Sequence, residues 1–123
     1  MNSFTDLEIY NLAFELALRI HKISLKMPKY ELYEQGSQIR RSSKSIKDNI
    51  VEGFGRKRYK NEWVKFLTYS HSSCNEVISQ LSMIHILYKI KEIPELLTNY
   101  DKLGRKINKF IQYVDLHWNN KNA

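Results

Sequence analysis

Residues 61–90, NEWVKFLTYSHSSCNEVISQLSMIHILYKI, decide the fold. Trp63, Phe66, Leu67, Ser70, Cys74, Val77, Leu81, Ile84 and Tyr88 recur at helical spacing and make one broad apolar stripe. The stripe predicts a long helix over about residues 60–91, stopped before Ile93-Pro94. Met83, Ile86 and Leu87 lie off it, and an apolar set outside the main stripe implies a second contact surface.

Working outward, Leu97, Tyr100, Leu103, Gly104, Ile107, Ile111, Val114 and Trp118 share one face of a helix over 94–118, with Pro94 in its first turn. The polar tail from Asn119 to Ala123 is expected to fray. On the other side, Ile39, Ser43, Ile46, Ile50 and Gly53 predict a helix over 32–53 whose inward face is small enough for close packing. Gly53-Phe54-Gly55 is expected to break that helix. The first helix is expected over 5–27, opened by a capping box at Thr5-Asp6-Leu7-Glu8 and stopped by Met27-Pro28. It is apolar on two sides. Leu7, Phe14, Leu18, His21 and Leu25 line one face, and Ile9, Leu16, Ile20, Ile23 and Met27 line nearly the opposite one. A small bundle has too little chain to cover both, so Ile9, Leu16, Ile20 and Ile23, with Met83, Ile86 and Leu87, are assigned to an interface between copies. Four long helices with short connections and no strand alternation give an all-α, antiparallel up-down four-helix bundle in one domain, residues 1–123.

Composition narrows the function. The single Cys excludes a disulfide framework and a Cys-rich zinc module, and no apolar run is long enough to span a membrane. Met1 to Asp6 carry neither the basic start nor the apolar stretch of a signal peptide, so a cytoplasmic protein is expected. The formal charge is +7, and residues 40–60 alone carry +6, from eight basic side chains against Asp48 and Glu52. Clustered positive charge is the electrostatic footprint of a phosphate-bearing partner. Arg40, Lys44 and Lys47 follow one flank of the second helix, and Arg56, Lys57, Arg58 and Lys60 surround Tyr59, which can stack on a base. These eight residues are the candidate nucleic-acid surface. The competing use of the same charges is ion pairing within or between subunits.

Catalytic readings fare worse. Some helical-bundle RNases use an Arg and a His at a set short spacing, and none of His21, His71, His85 or His117 has an Arg there. His71 and Cys74 lack the further ligands of a zinc set, and His21 and His85 read as interior histidines. Asp48 and Glu52 sit between Arg41 and Arg56, which favours ion pairs over acid–base work. Ser42, Ser43, Ser72 and Ser73 have no base or Gly-rich elbow, and Gly53 to Lys57 lacks the ending of a phosphate-binding loop. No enzyme, no cofactor and no metal are expected.

The ordered motifs resemble a known family. Phe4-Thr5-Asp6-Leu7 with Tyr10 and Ala13, then Gln38-Ile39-Arg40-Arg41-Ser42-Ser43, Ser45-Ile46, Asn49-Ile50-Val51-Glu52-Gly53 and Gly55-Arg56, and finally Phe66-Leu67, Ser72-Ser73, Glu76 and Gln80-Leu81 carry the likeness. The pattern, over about residues 4–118, is similar to the four-helix-bundle proteins encoded in intervening sequences of bacterial 23S ribosomal RNA genes. Lys47 stands where that family often has a proline, and Ser42-Ser43 where alanines are usual. The resemblance implies an up-down bundle assembled as a ring-like homopentamer, without established enzymatic activity. Relatives among the accessory proteins of diversity-generating retroelements imply RNA or DNA and a reverse transcriptase as partners. The expectation is a non-catalytic homo-oligomer that binds nucleic acid, and the alternative is a structural or adaptor oligomer with no such role.

Overall fold

The computed structural model describes residues 2–119, which form four α-helices and, among the described residues, no strand. The helices are α1 (Glu8–Ser24), α2 (Gln35–Gly55), α3 (Lys60–Tyr88) and α4 (Ile93–His117). One-turn 3-10 helices at Phe4–Asp6 and Lys29–Glu31 precede α1 and α2. Of the tail expected to fray, Asn119 follows α4 outside the helix, and residues 120–123 lie outside those described.

Contacts between neighbours run in opposite order along the chain, so each pair is antiparallel. Glu8 meets Lys106 at 2.5 Å while Arg19 meets Glu95 at 3.5 Å. Ser45 bonds Ser73 at 2.9 Å while Gly53 sits against Trp63, further along α2 and earlier on α3. Each helix packs beside its neighbours in the order α1–α2–α3–α4, and α4 returns to α1. The core is continuous through all four, with Trp63, Tyr100, Leu16, Ile20, Ile39, Ile46, Ile50 and Leu67 fully enclosed.

The first helix corrects the sequence reading. Ile9, Leu16, Ile20 and Ile23 are buried inside the single chain and leave nothing for a second copy to touch. The outward face is the other one, with Phe14, Leu18, His21 and Leu25 exposed and only Leu7 buried. Two aliphatic strips on one helix are equivalent by period; the isoleucine strip, with Ala13 and Ala17 buried beside it, is the one turned to the core. Met83, Ile86 and Leu87 are exposed on α3.

The ends also move. Ser3, not Thr5, makes the capping box, accepting from the Thr5 amide at 3.2 Å while the Asp6 carboxylate accepts from the Ser3 amide at 3.1 Å. It caps the 3-10 turn, so α1 starts at Glu8 with no side-chain cap. The second helix begins at Gln35 because Lys29–Glu31 make a separate turn, and it runs through Gly53 to Gly55. Gly53 is not a breaker. A Cβ there would lie 2.7 Å from Trp63 Cε3 and 2.9 Å from Phe66 Cβ, so glycine is what allows α3 to pass so close. The third helix stops at Tyr88, three residues early, where Lys89 takes a left-handed φ of 49°.

Candidate nucleic-acid interface

The structure divides the seven predicted cations. Arg40 points into the chain, donating to Ser24 Oγ at 2.9 Å and to the Leu32 carbonyl at 2.7 Å. It fastens the end of α1 to the loop before α2, while its half-buried side chain also borders the outer face of α2 beside Arg41 and Lys44. Lys47 pairs with Asp48 at 2.7 Å and lies over the Phe14 ring at 5.9 Å. Arg56 is bracketed by Glu62 at 3.0 Å and Glu52 at 3.2 Å, and its guanidinium covers the Phe66 ring at 4.9 Å. Those two carboxylates, Glu62 first, raise its pKa further above the ordinary arginine value. Lys65, then Arg56, hold Glu62 below the usual carboxylate range.

Lys44, Lys57 and Arg58 form no ion pair among the described residues. Lys57 lies 5.0 Å over the Phe54 ring and Arg58 5.9 Å over the Tyr59 ring. Lys60 Nζ donates to the Asp115 carbonyl at 2.5 Å, in the last turn of α4, where helix carbonyls lack intrahelical donors. Tyr59 itself is 56% exposed.

The cations therefore form two patches, separated by roughly 17 Å of helix axis at about 1.5 Å per residue. The first is Lys44 with Arg41, which the sequence reading left out of the site although it is also exposed and without an ion pair. They share an open depression on the outer face of α2 with Ser37, Arg40, Ser45, Asn49, Asp48 and Glu52. Positive at one end and negative at the other, that stripe repels a phosphate chain along half its length. The second patch is the turn after α2. Its backbone is tied down by Trp118, whose Nε1 donates to the Lys57 carbonyl at 2.7 Å, and Trp118 also lines a pocket with Tyr59, Lys60, Asn61 and Asn119. Trp118 was legible only as a core residue. The signal for its second face lay in its position, at the mouth of the bundle beside a basic turn.

Other candidates resolve into packing. Cys74 is buried, its thiol donates to the Tyr100 carbonyl at 3.3 Å, and burial pushes its pKa up to about 12. His21 is exposed rather than interior, and His85 is half-buried. Ser43 and Ser70 bond backbone carbonyls at 3.0 and 2.8 Å. Among the described residues no three His, Cys, Asp or Glu side chains converge as a metal site, and no helix is long and apolar enough to cross a membrane.

Fold and surface together define a helical bundle whose distinctive chemistry lies on its outside, in a basic, aromatic end. The chain belongs to the 23S rRNA-intervening sequence protein family, whose model matches residues 5–109. No curated protein matches it. The matched span takes in α1 to α3 and stops inside α4, short of Trp118.

Proposed function

We propose that the protein is a non-catalytic, cytoplasmic, homo-oligomeric bundle that binds RNA or DNA through phosphates. The observation that carries this reading is the turn after α2, where Lys57 and Arg58 stand without a carboxylate partner beside exposed Tyr59. Arg41 and Lys44 add a secondary contact. Arg58 offers phosphate a paired, planar set of donors, and Lys57 a point charge. Titrating labelled RNA at a series of salt concentrations tests it. Affinity should fall steeply with salt, and Lys57→Ala with Arg58→Ala should lower the log–log slope by about 1.5–2. Absence of binding at low salt overturns the reading.

Assembly is the second half of the proposal. Leu18, 54% exposed, with Phe14 and Leu25 on α1, and Ile86, 75% exposed, with Met83 and Leu87 on α3, leave apolar surface on two separate helices. Two different patches that meet head-to-tail generate a ring when the rotation closes, which agrees with the pentamer implied by the resemblance. Each subunit would then repeat the basic turn, and one strand reaching several turns gains avidity. The structural-oligomer reading draws on the pairs Lys47–Asp48 and Arg56–Glu62, which already neutralise part of the basic block. It expects the same mass and no salt-dependent RNA binding.

A further inference from the structure

At one end of the bundle, Tyr59, Lys60, Asn61, Trp118 and Asn119 line a pocket of about 390 Å³. It is an open depression, not an enclosed cavity. Its lining brings an exposed phenol and an indole together with an ammonium and two amides. The indole is fixed on two sides. Its N–H is committed to the Lys57 carbonyl, and its ring meets enclosed Trp63 edge-on at 6.4 Å and 68°. Lys60 is fixed as well, by the Asp115 carbonyl. Lys57 and Arg58 precede Tyr59 in the same turn.

We infer that this pocket takes an unpaired nucleobase, which makes single-stranded nucleic acid the preferred ligand class of the basic turn. The inference rests on the phosphate-binding reading above and adds a base to it. Three features support the assignment. Aromatic faces accept any base, and the Trp118 indole, already held in place, loses little freedom when one stacks. The amide of Asn61 supplies both donors and an acceptor, which a base edge offers in return and a phosphate does not. Lys57 and Arg58 are not among the lining residues and adjoin Tyr59 in the same turn, on the path that the backbone of a strand inserting a base would take. A duplex keeps its bases stacked inside and presents only phosphates and groove edges, so it engages the cations and leaves the pocket empty. Trp118 lies beyond residues 5–109, the span that the family model matches.

Binding of labelled oligouridylate and of an RNA hairpin duplex, each to the full chain and to Tyr59→Ala and Tyr59→Phe, tests the inference. Tyr59 is exposed and its ring has no partner beyond Arg58 at 5.9 Å, so neither variant endangers the fold. The expected result is that Tyr59→Ala weakens the single strand about 5-fold or more, the low end of one lost stacking contact. Tyr59→Phe restores it, and the duplex changes less than about 2-fold for either variant. Equal binding of both ligands with no effect of Tyr59→Ala overturns the base pocket and leaves the phosphate reading standing. Failure of both ligands to bind at low salt overturns both.

Discussion

Replacing Gly53 by Ala tests the closest approach in the bundle. The added methyl lies 2.7 Å from Trp63 Cε3, 2.9 Å from Trp63 Cζ3 and 2.9 Å from Phe66 Cβ, all well inside ordinary contact. Neither neighbour gives way easily. Trp63 has no exposed surface and is ringed edge-on by Phe54 at 6.2 Å, Phe110 at 5.6 Å and Trp118 at 6.4 Å. Phe66 Cβ moves only if α3 moves. Overpacking of this kind costs about 1–3 kcal/mol, and the rigid surroundings put Gly53 in the upper half. Alanine's better helix propensity returns about 1 kcal/mol, leaving a net loss of roughly 1–2 kcal/mol. For a chain of this length that lowers Tm by about 4–8 °C. Two other glycines supply the sign control. A Cβ on Gly55 meets nothing within 4 Å, and one on Gly104 meets Cys74 Sγ at an ordinary 3.5 Å. Gly55→Ala and Gly104→Ala should therefore be neutral or stabilising by up to about 1 kcal/mol. Urea unfolding followed by circular dichroism reads all three through the midpoint at constant slope. A Gly53→Ala protein as stable as the parent would refute the account of how α2 and α3 pack.

Three further outcomes follow from the same geometry. Glu31 is buried and accepts from the Tyr88 hydroxyl and from Gln35 Nε2, and these bonds, Tyr88's foremost, hold its pKa below its ordinary 4.5. A pKa lower folded than unfolded gives stability that is present above about pH 4.5 and is lost as pH falls through the folded value. Tyr88→Phe should shrink that acid-side loss, read from unfolding free energies at neutral and acid pH, and an unchanged pH profile counts against the Glu31–Tyr88 bond. Cys74, buried and raised to about 12, should react with a disulfide reagent only as fast as the chain opens, so rapid labelling under native conditions contradicts its placement. Light scattering should give a multiple of 14.7 kDa, and Leu18→Glu should lower it while Leu16→Glu, inside the core, should unfold the chain instead.

Helix number and most of the core were readable from the order of residues. Trp63, Leu67, Cys74, Val77, Leu81 and Ile84 are enclosed as their period requires, as are Tyr100, Leu103, Ile107 and Val114 on α4. Period alone could not say which side of α1 faces inward, because both strips satisfy it and the packing of the other helices decides. Gly53 was misread for a related reason: glycine serves helix ends and helix crossings alike, and only the position of Trp63 tells them apart. The basic block was found as a stretch of sequence. Its division into an inward Arg40, paired Lys47 and Arg56, and unpaired Lys44, Lys57 and Arg58 depends on neighbours up to 16 residues away, as Ser24 is from Arg40.

The bond from Trp118 to the Lys57 carbonyl joins positions 61 residues apart, and it sets an order of events during synthesis. The first three helices leave the ribosome while the turn after α2 still lacks its anchor. Until α4 follows, Trp63 has neither Phe110 nor Trp118 beside it, and the pocket at that end has only one wall. A nascent chain thus carries its cations early and its aromatic clamp late. Any ligand that needs both must wait for the final turn of the last helix.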